Sequence, residues 1–320
     1  MKNITRTERR NKMTTKKYSK VKNMLDAGHF VVCSEMGPPI GADPEFIRKK
    51  AKYLKGYVDG VNVTDNQTAI VRMSSISAAK LAMDEGLEMI IQVTARDRNR
   101  IGLQSDILGA SSLGLRNVLL LTGDHQSFGK DPGSKNVFEL GSVQLIKAVS
   151  DMVDKGILLN GKEMDVPPKM FIGGAANPFA DPFEMQMIKM QKKVNAGVEF
   201  FQTQAIYNLD KFEYWMEEVR KRGIHNKTYI LAGILPTRSA KALRMMKEYV
   251  AGMDVPDHII KRMDQAEDKE KEGVKMAVET IQRVKEIEGV RGVHLMPVAW
   301  EEITPEVIKQ ASLYPRPEVE

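Results

Sequence analysis

Short apolar runs alternate along this chain with longer stretches in which apolar positions recur every three or four residues. The runs are HFVVCSEM (29–36), YVDGVNVTD (57–65), EMIIQVTARD (88–97), NVLLLTGDH (117–125), KMFIGGAAN (169–177), VEFFQTQ (198–204), KTYILAGILP (227–236) and VRGVHLMPV (290–298). Such a run, stopped by turn residues and followed by a helical period, is the pattern of a strand buried on both faces in a parallel sheet. The periodic stretches predict helices over 43–55, 71–85, 101–113, 142–155, 181–195, 209–222 and 239–249 and from 304 onward, with two added helices in the highly charged segment 257–288. Asp43-Pro44-Glu45, Asp181-Pro182 and Thr304-Pro305-Glu306 are start signals, a capping side chain followed by a proline whose missing N–H costs nothing in a first turn. Parallel strands need right-handed helical crossovers, so eight such units predict an α/β fold, a (β/α)8 TIM barrel with extra surface helices. An open doubly wound sheet is the alternative, but no GxGxxG follows the first run.

The 320 residues suit one barrel with additions, since barrels typically take ~250 residues. A formal charge of +6 would suggest a nucleic-acid partner if it were spread over the chain. Residues 1–22 instead hold nine Lys or Arg against Glu8 alone, a net +8 that leaves −2 for the remainder. The expected organisation is therefore a basic, flexible tail over 1–22 and a single barrel domain over 23–320, with no nucleic-acid partner. No apolar run approaches the ~20 residues of a membrane span and no signal peptide is visible, so a cytoplasmic location is expected. Cys33 is the only cysteine, and the five histidines show no metal-binding spacing. Disulfide, iron–sulfur and metal chemistry are thus not expected from this chain, and redox work would need an organic cofactor or a partner.

In a parallel barrel the ligand sits where the strands' carboxyl ends converge. Those ends carry Glu35, Thr64 and Asp65, Gln92 and Thr94, Asp124, Asn177, Gln204 and His294, whereas the amino ends supply nothing comparable. Acids and amides gathered on one rim suit recognition of a polar heterocycle together with proton transfer. The Gly-rich loop 123–135 is not a P-loop, because five residues separate Gly123 from Gly129 and Asp131 stands where a Ser or Thr should be. It reads as a flap over the site. Strand-end lysines of the Schiff-base kind are absent, and Cys33 reads as a buried apolar side chain.

Four local signatures, in order, resemble the methylenetetrahydrofolate reductase family. They are Glu35-x-x-Pro38-Pro39, Gly123-Asp124, Phe201-Gln202-Thr203-Gln204 and Gly233-Ile234-Leu235-Pro236, with Lys192-Lys193-Val194-x-Ala196-Gly197 fitting as well. The resemblance implies a flavin-dependent oxidoreductase that reduces 5,10-methylenetetrahydrofolate to 5-methyltetrahydrofolate. Glu35 resembles the family's general acid, and Asp124 its carboxylate near flavin and pterin. Gln204 resembles the amide that reads the pterin edge. Thr64, Gln92, Thr94, Gly123, Phe138, Asn177 and Lys193 fall where flavin contacts are expected.

The chain also departs from the family. Gln92 replaces a frequent His, Ala240 replaces an aromatic residue after the seventh strand, and Asn177 and Gly173 replace a His and an aromatic residue near the adenosine end of FAD. These changes leave FAD and FMN both open as the flavin. They also leave two electron donors, NAD(P)H or a small Cys-rich partner subunit like that of similar proteins in anaerobes, and an assembly that is homo- or hetero-oligomeric. Other readings are a pterin-binding barrel of another activity, methyltransferase or pteroate synthase-like, and a noncatalytic assembly subunit.

Overall fold

The computed structural model of the chain describes residues 18–318, so most of the expected tail lies outside the described residues. Eight strands, β1 (Val31–Met36), β2 (Gly60–Val63), β3 (Met89–Thr94), β4 (Asn117–Leu121), β5 (Phe171–Ala176), β6 (Phe200–Ala205), β7 (Tyr229–Ile234) and β8 (Val290–Leu295), close into a parallel barrel in chain order. A helix, α1 (Lys20–Asp26), precedes β1. The wall is α2 (Pro44–Leu54), α3 (Ser75–Asp84), α4 (Arg100–Ser112), α5 (Ser142–Lys155), α6 (Phe183–Ala196), α7 (Leu209–Lys221), α8 (Ala240–Tyr249), α9 (Asp257–Gln265), α10 (Lys269–Glu286) and α11 (Thr304–Gln310). The strands are shorter than the apolar runs because residues such as Asp65 and Asp97 already belong to the following turns.

Two-residue alternation divides each strand between two cores. On β1, Val32 and Met36 join the helix-facing core, while Val31 and Cys33 join Ile90, Leu119, Phe171, Phe200 and Leu231 inside the barrel. Glu35 is the next inward position. Above the apolar floor, Asn62 and Gln202 exchange two amide hydrogen bonds across the barrel, at 2.6 and 2.9 Å. Burial inside the floor holds the Cys33 thiol well above its usual range.

Two expectations are corrected. Ordered structure begins inside the stretch read as tail: Ser19 caps α1, and Val21, Met24 and Leu25 plug the amino-terminal end of the inner core. Their i, i+3, i+4 spacing is what lets one short helix turn all three inward. Asp181 does not cap α6, since Pro182 occupies the cap position and no side chain accepts there, and Thr304 does not cap α11, being its first residue behind Ile303 with no side-chain cap bond. Asp43, by contrast, accepts from Glu45 N at 2.9 Å ahead of Pro44. The charged 257–288 segment forms α9 and α10 as expected, and Arg262 ties one to the other through Glu272 and a two-pronged pair with Glu279.

Candidate active site

A cavity of ≈ 680 Å³ opens at the carboxyl ends of the strands. Glu35, Thr64, Gln92, Asp124, Asn177, Lys193, Gln204 and His294 all line it. A side lobe of ≈ 320 Å³ continues past Gln92, Asp124 and Lys193 toward Asp65, Thr94, Arg96 and Gly123. Parallel strands that end on one rim therefore gather seven of the polar strand ends around one space, with Asp65 and Thr94 in the adjoining lobe. Phe138 lines neither lobe; it has left-handed φ and its ring lies 6.5 Å from that of His125 within the flap.

Glu35 is held from two sides. Gln92 Nε2 donates to its Oε2 at 3.0 Å, and His294 Nε2 lies 3.6 Å from the same oxygen. His294 Nδ1 is buried and has no partner. Asp124 follows Gly123, whose φ of +91° is a conformation side chains rarely tolerate and whose added Cβ would lie 3.1 Å from Cβ of both Arg96 and Thr94. Only glycine permits that turn, which directs Asp124 to accept from Thr68 N at 3.0 Å. Asp65 is committed to structure, accepting from Thr94 N and from Arg98.

Lys193, on α6, donates to Ala175 O at 2.6 Å. Burial, reinforced by the neighbouring Lys189 charge, brings its ammonium down to about 8. A depressed lysine on a cavity wall favours an anion, which restores the charge that burial penalises. Asn177 lines the cavity but is covered from behind: an added Cβ on Gly252 would lie 1.8 Å from its Nδ2. Trp215 is the only aromatic ring among the described residues lining the two lobes, and Ala240 packs away from them in the α8–α9 core.

Sequence reasoning missed Asn62, Gln202, Gln67, Lys189 and Arg96. For the first two the signal was present, because Gly60-Asn62-Thr64 and Phe200-Gln202-Gln204 are inward-facing positions at period two. Gln67 comes from a short turn, where it accepts from Thr64 Oγ1 at 2.8 Å, and no periodicity marks it. Among the described residues no three His, Cys, Asp or Glu side chains are grouped as a metal ion would require, and no helix is long and apolar enough to cross a membrane.

The chain matches the model of the Methylenetetrahydrofolate reductase family over residues 20–312. It belongs to that family. Curated relatives include a probable methylenetetrahydrofolate reductase (NADPH) of Caenorhabditis elegans, 22% identical over 93% of this chain and 44% of the relative. Another is methylenetetrahydrofolate reductase 2 of Saccharomyces cerevisiae, 23% identical over 76% of this chain and 40% of the relative. The chain thus spans less than half the length of either. Among solved structures, a Clostridium thermocellum protein that binds two copies of 5-methyl-5,6,7,8-tetrahydrofolic acid has the same fold, with a TM-score of 0.65 and 16% identity over 92% of this chain and 99% of that one. A 2,3-dimethylmalate lyase shares the barrel at a TM-score of 0.50 and 9% identity, covering 92% and 83% of the two chains.

Proposed function

We propose that this member of the family reduces 5,10-methylenetetrahydrofolate to 5-methyltetrahydrofolate with a bound flavin. The observation that carries this reading is that Glu35, Asp124 and Gln204, which come from β1, the loop after β4 and β6, line one cavity. The residues present fit a flavin. The two lobes are bordered by small side chains, Ala175 and Ala176, and by hydrogen-bonding groups on Thr64, Gln92 and Thr94, with Lys193 available for a phosphate. His294 Nδ1 is a buried polar atom still lacking a partner. When bound, the reduced flavin supplies the hydride.

The chain's own residues do the rest. Glu35, oriented by Gln92, protonates the folate so that its five-membered ring opens to a cationic iminium. The fixed negative charge of Asp124 stabilises that cation, and next to a bound flavin it would disfavour an anionic reduced ring and so strengthen it as a hydride donor. Gln204 reads the pterin edge by hydrogen bonds. Asn177 and Gly173, where the family resemblance puts a His and an aromatic residue near the adenosine end, leave FMN and FAD both open as the flavin.

Ala240, standing where the family resemblance puts an aromatic residue, leaves NAD(P)H and a partner protein both as candidate electron donors. Anaerobic mixing with NADH decides this, since rapid bleaching by NADH alone rules out a partner requirement. The reading itself is tested by the absorption spectrum of the pure protein and by Glu35→Gln. The variant should keep its flavin and lose about 10²–10⁴-fold in folate turnover, the usual worth of a general acid. Unchanged turnover would refute the role of Glu35. A colourless protein that still binds a reduced pterin would instead favour a barrel of another activity.

A further inference from the structure

The turn after β3 buries an arginine that the chemistry above does not use. Arg96 is 2% exposed. Its Nε and Nη2 donate to the two oxygens of Asp97, each at 2.7 Å; Nη2 also donates to Asn66 O at 2.9 Å, and Nη1 to Asp124 O at 3.2 Å. The carbonyl of Arg96 accepts from Val137 N at 2.8 Å. One residue thereby fastens the loops after β2, β3 and β4.

The loop after β2 needs fastening. Asn66, Thr68 and Ala69 have φ of 45°, 55° and 55°, a left-handed region that residues with side chains seldom occupy. Surrounding contacts must hold such a conformation, and this one brings the backbone N–H of Thr68 to Asp124 Oδ2. The flap presses on the same turn, because an added Cβ on Gly129 would lie 2.2 Å from Ala69 O.

We propose that Arg96 is a positioning residue for Asp124. By gripping the carbonyls of Asn66 and Asp124 it fixes the spacing between two loops, so that the Thr68 N–H meets the carboxylate and holds it at the junction of the two lobes. The effect is geometric more than electrostatic, since Asp97 already balances the guanidinium charge. The guanidinium spreads its donors over three nitrogens in a fixed plane and so reaches Asp97, Asn66 O and Asp124 O at once, whereas a lysine gathers its three N–H on one atom of a flexible stem. The catalytic consequence rests on the reading of Asp124 given above, whereas the clamp does not.

The experiment uses the full chain with Arg96→Lys, which keeps the charge and loses the fork, beside Asp124→Ala, which removes the acceptor of the Thr68 N–H, and the double variant. Millisecond-to-second hydrogen exchange across 64–73 reads the Thr68 amide. The expected result is exchange faster by about tenfold in each single variant, no further gain in the double, and cooperative melting preserved. With flavin bound, Arg96→Lys should lower kcat about tenfold while the folate KM stays near that of the parent, as misplacement of a reacting group does. Unchanged exchange in Arg96→Lys overturns the proposal, as does faster exchange with unaltered turnover. A parent protein that takes up no added flavin, while its Arg96→Lys variant still shows the faster exchange, would sink the reductase reading and leave the clamp standing.

Discussion

Lys193 turns the polarity of the cavity wall into a pH dependence. The folded chain holds this proton less tightly than an exposed lysine, with a pKa near 8 against the usual 10.5. Between those values the unfolded chain carries more protons, so stability rises with pH across that window, and the penalty is full below it. Lys193→Met should therefore melt above the parent at pH 7, with the gap closing toward pH 10.5. Binding of a flavin phosphate reverses the penalty, so calorimetry above pH 8 in buffers of different ionisation enthalpy should register proton uptake that Lys193→Met abolishes. At this scale the sequence was legible wherever a polar residue closes a strand at the rim, by the inward period of two for Glu35, Gln92 and Gln204 and by the Gly123 turn for Asp124, which is how the four could be read as neighbours. It was silent on Arg96, whose role depends on three carbonyl and carboxylate partners that no spacing encodes. It gave no direction for Phe138, because a long loop has no period to say which way a ring turns.

Among elements, α1 departs furthest from what composition suggested. Lys20, Lys22 and the basic residues before them read as a solvated tail, yet Lys22 is fully buried and its ammonium pairs with Asp26 one turn on. The helix is also anchored by Ser19 Oγ, which donates to Asn117 at the start of β4, while Asn117 Nδ2 donates to Met89 O at 2.9 Å. Net charge per segment is blind to three apolar side chains on one face, and those are what seat the helix. Leu25→Ala should consequently behave as a core truncation and lose about 2–5 kcal/mol, measured by urea unfolding. Val21→Ala, inside the stretch read as tail, should likewise destabilise, whereas a residue of a solvated tail would lose nothing measurable. Most helices of the wall were legible because they carry several turns of periodicity, and α11, only seven residues long, because Pro305 marks its first turn; α1, equally short, has neither signal.

The whole molecule divides its labour between the two ends of the barrel. The carboxyl ends hold the candidate chemistry, whereas the amino ends are covered by α1, which plugs the inner core, and by Arg316. Arg316 donates to both oxygens of Asp59, at 3.1 and 2.6 Å, and to Phe30 O at 2.7 Å, while Asp59 Oδ2 also accepts from Val32 N. The pair is almost dry, with side-chain exposures of 9% and 1%. Burying two charges costs nearly what their attraction returns, so the intact pair adds little net stability, but removing one partner strands the other. Arg316→Met should accordingly lose about 3–5 kcal/mol in urea unfolding. Adding Asp59→Asn should recover part of that loss, because the stranded carboxylate is then gone. Flavin affinity and kcat should stay at parental values in the folded fraction, since conserving the opposite rim conserves the site. If either falls in step with stability, the two ends are mechanically coupled and the division proposed for them does not hold.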